Sequence, residues 1–207
     1  VAAILVFPRA SPALVRAHLR PGARVVAIDA GADVLRAVGA VPDLIVGDLD
    51  SVSPETLGHY QSLGVPVERH PSAKRDTDAA LALRRVADEE EIAFLGPGGG
   101  RPDHALANLH LLAAASLRAR VRAVDDDGIT EVVTPERELQ LGLPEGTLLS
   151  AIPFDARVEG ITYDGMQYPL VEATMVAGDP YGVSNLTGPP PQRIRVRKGR
   201  LLVMLPA

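Results

Sequence analysis

The run Gly47-Asp48-Leu49-Asp50-Ser51 sets two carboxylates two positions apart, directly after the apolar stretch Leu44-Ile45-Val46. In a loop at a strand end, such a pair can converge on one hard cation. Magnesium suits it, because this ion takes oxygen ligands and keeps several waters while bridging to phosphates. Gly47 would let the backbone approach a ligand closely. The plainer alternative makes Asp50-Ser51 the cap of a helix that starts near Pro54. A second group, Lys74-Arg75-Asp76-Thr77-Asp78, again lies between a strand and a helix. Asp76 or Thr77 could cap that helix, with Asp78 favourable to its dipole. Capping does not account for two cations beside the acids, however. Lys74 and Arg75 suit phosphate oxygens, and Asp78 can add a ligand to a metal.

The third group is Gly96-Pro97-Gly98-Gly99-Gly100-Arg101-Pro102-Asp103-His104. Glycines this dense carry a large entropy cost and need a reason. A glycine-rich loop feeding a helix presents backbone N–H groups to an anion such as a phosphate. It is neither a Walker A loop nor a dinucleotide fingerprint in the first strand–helix turn. Asp103 could simply cap the helix, and His104, which shares a helix face with Asn108, reads first as a hydrogen-bonded structural residue. A fourth turn, Asp29-Ala30-Gly31-Ala32-Asp33, is small enough to admit a nucleotide, or else is a tight turn with a capping aspartate.

These four turns need a scaffold that gathers them. From Val1 to about Val124, short runs (Ile4–Phe7, Arg24–Ile28, Leu44–Val46, Val65–Glu68, Ile92–Leu95, Val121–Val124) alternate with helix-like stretches (Ala13–Leu19, Ala32–Val38, Pro54–Leu63, Asp78–Ala87, His104–Arg118). That alternation predicts a mainly parallel sheet with helices, Rossmann-like, whose strand-end loops collect along one edge. Acids for a metal, cations for phosphates and a glycine loop on one edge point to phosphoryl transfer on a nucleotide.

After Asp125-Asp126-Asp127-Gly128 the pattern changes to short β-type runs separated by Pro144-Glu145-Gly146, Asp164-Gly165, Gly178-Asp179-Pro180 and Lys198-Gly199. They predict a small antiparallel β-sandwich or barrel of about six strands. The organisation is thus an α/β domain over 1–124 followed by a β-sandwich domain over 125–207. The acidic runs 88–91 and 125–127 read as solvated turns, the alternating Arg193, Arg195 and Arg197 as a wet strand face, and Pro189-Pro190-Pro191 as a stiff connector.

With 207 residues, 46% hydrophobic and 23% charged, the composition is that of a globular chain. The absence of Cys excludes disulfides, thiolate metal sites and cysteine nucleophiles. A net charge of −5 and 3% aromatic residues, with no Trp, argue against a nucleic-acid partner. No apolar run is long enough to span a bilayer, and the opening run reads as a strand and not a signal peptide. The expected location is cytoplasmic.

At the residues singled out above, the sequence resembles the thiamine pyrophosphokinase (thiamine diphosphokinase) family. The family's D-G-G-A and P-D-x-I-x-G-D-F-D-S are matched by Asp29-Ala30-Gly31-Ala32 and by Pro42 through Ser51. Its G-G-R-x-D-H-x-x-A-N-x-x-L-L is matched by Gly99 through Leu112, and its G-x-K-Y-P-L and S-N by Gly165 through Leu170 and Ser184-Asn185. The resemblance implies a catalytic α/β domain and a thiamine-binding β-sandwich, acting as a homodimer with the active site shared between subunits. It implies that the thiamine hydroxyl attacks the β-phosphorus of ATP and that AMP leaves. By position, Asp48, Asp50 and Asp78 would hold magnesium, while Lys74, Arg101 and, in one reading, Arg75 would meet phosphates. Asp29, Gly31, Ala32, the Gly98-Gly99-Gly100 loop, His104 and Asn108 would line the nucleotide. Tyr168, Ser184 and Asn185 would face thiamine, with Tyr168 the stacking candidate. Asp78 and Asp103 are the candidates for accepting the hydroxyl proton.

Three departures stand out: Ala30 in D-G-G-A, the absent Trp, and Arg75-Asp76 where the family reads K-D-x-T-D. The rival readings are a diphosphokinase for another hydroxymethyl substrate, such as a pterin, and a nucleotide- or thiamine-binding protein with impaired catalysis.

Overall fold

A computed structural model describes residues 2–206, so Val1 and Ala207, the outermost residues of the two expected domains, lie outside the described residues. The chain forms two compact units, Val1–Asp126 and Asp127–Ala207. Among the described residues no helix is long and apolar enough to cross a membrane.

The first unit alternates six strands, β1 (Ala2–Val6), β2 (Arg24–Ile28), β3 (Leu44–Gly47), β4 (Val67–Arg69), β5 (Glu91–Leu95) and β6 (Arg120–Asp125), with five helices. The helices are α1 (Pro12–His18), α2 (Gly31–Ala37), α3 (Pro54–Ser62), α4 (Asp78–Arg85) and α5 (Pro102–Ala115). Every strand pairing is parallel, in the order β6-β5-β1-β2-β3-β4. Strands β1 and β2 are buried along almost their whole length, as strands covered on both faces must be, hence their unbroken Val, Ile, Leu and Ala. Helix starts follow local chemistry. Ser11, Ser53 and Thr77 accept N–H bonds from the first turns of α1, α3 and α4, and α1, α3 and α5 each carry Pro in the first turn. The cap of α3 is therefore Ser53 and not Asp50-Ser51. Helix α4 has Asp78 in its first turn and Arg84 and Arg85 in its last, both favourable to the dipole.

The chain steps outward from β1 through β2 and β3 to β4, then crosses to β5 on the other side of β1. The strand order thus reverses at β1. Open parallel sheets bind ligands near such a reversal, and here the loops after β1 and β5 lie against each other, Gly96 beside Ala10 and Gly99 beside Arg9.

The second unit has eight strands among the described residues, two more than the sequence predicts. One antiparallel sheet runs β12-β9-β14-β7, formed by β12 (Asn185–Leu186), β9 (Leu148–Pro153), β14 (Leu201–Pro206) and β7 (Gly128–Val133). The other runs β11-β10-β13-β8, formed by β11 (Leu170–Val176), β10 (Arg157–Asp164), β13 (Gln192–Arg195) and β8 (Leu139–Leu141). Strands β8 and β12 are three and two residues long, too short to display an alternation. Side chains of both sheets meet in one core, including Val133, Leu149 and Val203 from the first and Val158, Ile161, Tyr163 and Ile194 from the second. Gly160, at φ +67°, sits where the β10–β11 register slips, and this bulge lets consecutive β10 residues up to Tyr163 be buried. Arg193, Arg195 and Arg197 do not stand alone in water. Each meets a carboxylate, Glu138, Asp164 and Glu172 respectively.

Two glycines in the first unit make opposite demands. A Cβ on Gly31 would lie 2.1 Å from the Val6 carbonyl oxygen, so α2 can start against β1 only with glycine there. Gly58, exposed in α3, has nothing within 4 Å. By urea unfolding, Gly31→Ala should cost about 1–3 kcal/mol through overpacking. Gly58→Ala should add about 0.5–1 kcal/mol by lowering the entropy lost on folding. Equal effects would contradict the packing of α2 on β1.

Candidate active site

Three of the strand-end turns deliver carboxylates to one place. Asp29 follows β2, Asp48 follows β3 and Asp78 opens α4, and one carboxylate oxygen from each lies within 4.8 Å of the others. Backbone geometry enforces this meeting. Asp29 (φ +44°) and Leu49 (φ +64°) both occupy the left-handed region, which is uncommon for side chains of this kind. The Leu49 N–H donates to Asp29 Oδ1 at 3.1 Å, and the Leu49 side chain is buried. A Cβ on Gly47 would sit 1.9 Å from the same Asp29 oxygen, so the glycine provides the space for that carboxylate. Strained residues at the lip of a polar cluster are a familiar mark of a functional site.

The third acid brought to the cluster is Asp29 and not Asp50. Leu49 is turned inward between Asp48 and Asp50, and Asp50 is not among the three acids that converge. Asp50 is exposed, and its backbone N–H bonds Asp48 Oδ1 at 3.3 Å.

Lys74 supplies the cation. Its Nζ lies 3.0 Å from Asp78 Oδ1 and 4.0 Å from Asp48 Oδ2, and it donates to the Pro71 carbonyl at 3.0 Å. The Asp78 contact is an ion pair at an angle that leaves Oδ1 buried without a hydrogen bond among the described residues. Arg75 is exposed, whereas Asp76 is bound to Arg84 of α4 at 2.7 Å and so sits outside the acid cluster.

The glycine-rich loop is braced on several sides. The Gly98 N–H donates to Asp125 Oδ1 at 2.9 Å, and Asn108, buried in α5, donates to the Pro97 carbonyl at 2.8 Å. Asp126 accepts from Ser11 at 2.6 Å. The 125–127 run therefore holds loops, which corrects its reading as a merely solvated turn. Arg9, after β1, lies along the loop on the other side, where a Cβ on Gly99 or Gly100 would come 2.8 or 2.9 Å from its side chain. Arg101 and Asp103 pair with each other at 2.6 Å in an exposed position, and His104 is exposed beside them. Gly31 and Ala32 are buried at the start of α2.

Arg9, Asp125 and Asp29 as a cluster member are what the sequence reading missed. Arg9 was findable, because it also ends a strand of the parallel sheet. The Asp125–Gly98 bond joins residues 27 apart and leaves no local trace.

In the second unit, a cavity of about 470 Å³ is lined by Tyr163, Tyr168, Leu170, Tyr181, Ser184 and Asn185, among others. It brings together all three residues expected to face thiamine. Asn185 clamps the Tyr168 backbone, accepting its N–H at 3.1 Å and donating to its carbonyl at 2.9 Å. Ser184, at φ +63°, is exposed, and its N–H bonds the Ser150 hydroxyl.

A doubly wound sheet with clustered acids, a lysine and a braced glycine loop at its carboxyl edge defines a protein of the class that handles charged phosphate ligands with the help of a cation. Residues 18–124 match the family model described as thiamin pyrophosphokinase, catalytic domain, and residues 131–201 the one described as thiamin pyrophosphokinase, vitamin B1 binding domain. The chain belongs to the thiamin pyrophosphokinase family and is an enzyme of that family.

It is 26% identical over 164 residues to the thiamine pyrophosphokinase of Bacillus subtilis (strain 168), covering 77% of this chain and 76% of that protein. It is 28% identical over 156 residues to thiamine pyrophosphokinase 1 of Oryza sativa subsp. japonica, covering 70% of this chain and 59% of that protein. The match thus spans under two thirds of the plant relative's length. The crystal structure of the Bacillus subtilis thiamine pyrophosphokinase superposes with a TM-score of 0.88 at 23% identity, covering 100% of this chain and 99% of that one.

Proton affinities divide the acids. Burial pushes Asp29 up to about 7, against the Leu49 N–H bond, with the charges of Asp78 and Asp48 adding to the rise. Burial would also raise Asp48, but the Asp50 N–H, a Ser72 hydrogen bond and Lys74 hold it below its usual range. Asp103 is held at about 2, chiefly by its Arg101 hydrogen bond.

A carboxyl raised from 3.8 to about 7 favours the fold while protonated, and that contribution is lost as pH rises through the interval. The cation-free protein should therefore melt at progressively lower temperature from about pH 5 to pH 8. Asp29→Asn should flatten that slope, and a divalent cation at pH 8 should raise the melting temperature of the natural protein. A flat profile with no cation response would remove the cluster as a cation site.

Proposed function

We propose that this chain transfers the pyrophosphoryl group of ATP to the hydroxyl of thiamine, giving thiamine diphosphate and AMP. The observation that carries the charge side of this reading is the convergence of Asp29, Asp48 and Asp78 within 4.8 Å beside Lys74. Three acids against one lysine leave excess negative charge that a divalent cation balances, and an all-oxygen donor set fits magnesium. Asp29, Asp48 and Asp78 would hold that ion, with Asp50 exposed in the same loop. Magnesium, when bound, neutralises phosphate charge and orients the phosphates.

The protein's own residues do the rest. Lys74 already lies between two of the acids and can follow charge from them to a phosphate oxygen. Arg101 can exchange its exposed pairing with Asp103 for a phosphate, Arg75 stands free of the cluster to do likewise, and Arg9 adds a further cation along the glycine loop. Of the two candidate acceptors for the hydroxyl proton, Asp103 at about 2 is a weak base. Asp78 lies in the acid cluster beside the proposed cation, paired with Lys74 at 3.0 Å. Tyr168 would stack on thiamine, with Ser184 at the cavity rim and Asn185 fixing Tyr168. The proposed assembly is a homodimer that shares its active sites, and the proposed compartment is the cytoplasm, where ATP is supplied.

Incubation with ATP, magnesium and thiamine should release AMP in step with thiamine diphosphate. Release of ADP, or release with a pterin alcohol only, would overturn the transfer or the substrate. Asp48→Asn should lower turnover by roughly a hundredfold or more, as loss of a charge-stabilising group does. Without magnesium the variant should still fold but melt slightly lower than the natural protein, because the Asp50 N–H, Ser72 and Lys74 favour the ionised Asp48 that it removes. Full turnover by a folded Asp48→Asn would sink the cation assignment. Sedimentation should give twice the 21.8 kDa chain mass.

A further inference from the structure

The loop that carries Asp48 runs from the end of β3 to the start of α3, and one neighbouring turn holds it at two points. At the first, the Leu49 N–H donates to Asp29 Oδ1 at 3.1 Å. At the far end, the Ser53 N–H donates to Asp33 Oδ2, also at 3.1 Å. Each bond joins residues 20 apart, so the turn 29–33 and the loop 49–53 run side by side in step. Between the two points Val52 is buried, while Asp50 and Ser51 are exposed.

The second point is a network and not a single contact. The Ser53 hydroxyl donates to Asp33 Oδ1 at 2.5 Å and accepts from the Thr56 N–H in the first turn of α3. Arg36, one turn along α2, donates to the Thr56 hydroxyl at 3.2 Å. Burial would raise Asp33, but the Ser53 and Thr56 hydrogen bonds and the Arg36 charge hold it below its usual range. It is therefore an ionised acceptor at neutral pH. Among the described residues no side chain caps α2. The aspartate expected to cap its own helix serves the start of the next one instead.

The two anchors differ in what else they must do. Asp29 is one of the three converging acids, so its carboxylate is divided between the Leu49 N–H and a cation. Asp33 is not one of the three, and both of its oxygens bond Ser53. Without a cation the converging acids repel one another, and the loop bearing Asp48 is the part that could yield. A site that must be re-formed on binding loses affinity by the cost of ordering it. We propose that Asp33 is a positioning residue for the cation site, which through Ser53 keeps the Asp48 loop in its binding form while Asp29 is engaged. The inference rests on the reading of Asp29, Asp48 and Asp78 as that site, and it gives Asp33 no contact with the ion.

Asp33→Ala and Asp33→Asn test this on the full chain, with Tyr60→Phe as the control. The Tyr60 hydroxyl donates to the Ala40 carbonyl at 2.8 Å, so its loss also loosens α3 from the chain after α2, but near the other end of α3. Magnesium affinity without ATP is read from the rise in melting temperature over a magnesium titration. It should weaken roughly tenfold in Asp33→Ala, as loss of a group that orients metal ligands does. Asp33→Asn keeps one acceptor oxygen and loses one hydrogen bond, so it should weaken about threefold. Tyr60→Phe should melt lower yet bind magnesium as the natural protein does. KM for thiamine at saturating magnesium should not change in either Asp33 variant. Affinity within twofold of the natural protein in Asp33→Ala, or in Asp33→Asn if the alanine variant does not fold, would overturn the proposal. An equal loss in Tyr60→Phe would do the same, by assigning the effect to general loosening of α3. Natural protein that shows no response to magnesium would overturn the cation reading and this inference with it.

Discussion

Three carboxylates cannot share a few ångströms without a reason, and most of the first unit is arranged to make them do so. The Leu49 N–H holds Asp29, two residues accept left-handed backbone, and Gly47 forgoes a side chain so that the Asp29 oxygen fits. The parallel sheet makes the meeting possible, because β2, β3 and α4 deliver their ends to one edge. Repulsion among the acids is then useful. It makes the fold itself favour cations there, first Lys74 and then whatever divalent ion and phosphate load the substrate brings.

The two units divide the physical work. The first gathers charge, with carboxylates, a lysine, three arginines and backbone N–H groups around one sheet edge. The second sets tyrosines in the wall of a cavity, in a sandwich whose core is otherwise aliphatic. This division explains why one family model describes catalysis and the other vitamin binding.

Much of this was legible in the sequence, for a physical reason. A parallel sheet buries both faces, so its strands appear as short unbroken apolar runs, and a polar turn after each of them must lie on the same edge. Asp48, Lys74, Asp78 and the glycine loop were readable on that ground alone. The choice between Asp29 and Asp50 was not, because it turns on the backbone at Leu49, whose positive φ accompanies the bond from its N–H to Asp29. Asn108 and Asp125 look like ligands or solvent-facing acids until their bonds to Pro97 and Gly98 are seen. Asp33 reads as a helix cap, and only the packed structure reveals that both its oxygens bond Ser53. The short strands β8 and β12 owe their existence to neighbours and not to any pattern of their own.

Strand β4 ends the first unit's sheet with only Val67, Glu68 and Arg69. Glu68 is gripped by Arg85, with Nε at 2.6 Å, and by His70 at 2.8 Å. A short, charged border of this kind discourages another strand from docking alongside. The Arg85 bond also keeps Glu68 ionised down to about pH 2, despite some burial. Ordinary carboxylates lose their charge near pH 4, so this border stays guarded under acidification that neutralises most of the surface. The margin of the sheet thereby keeps a paired charge that takes no part in the acid cluster.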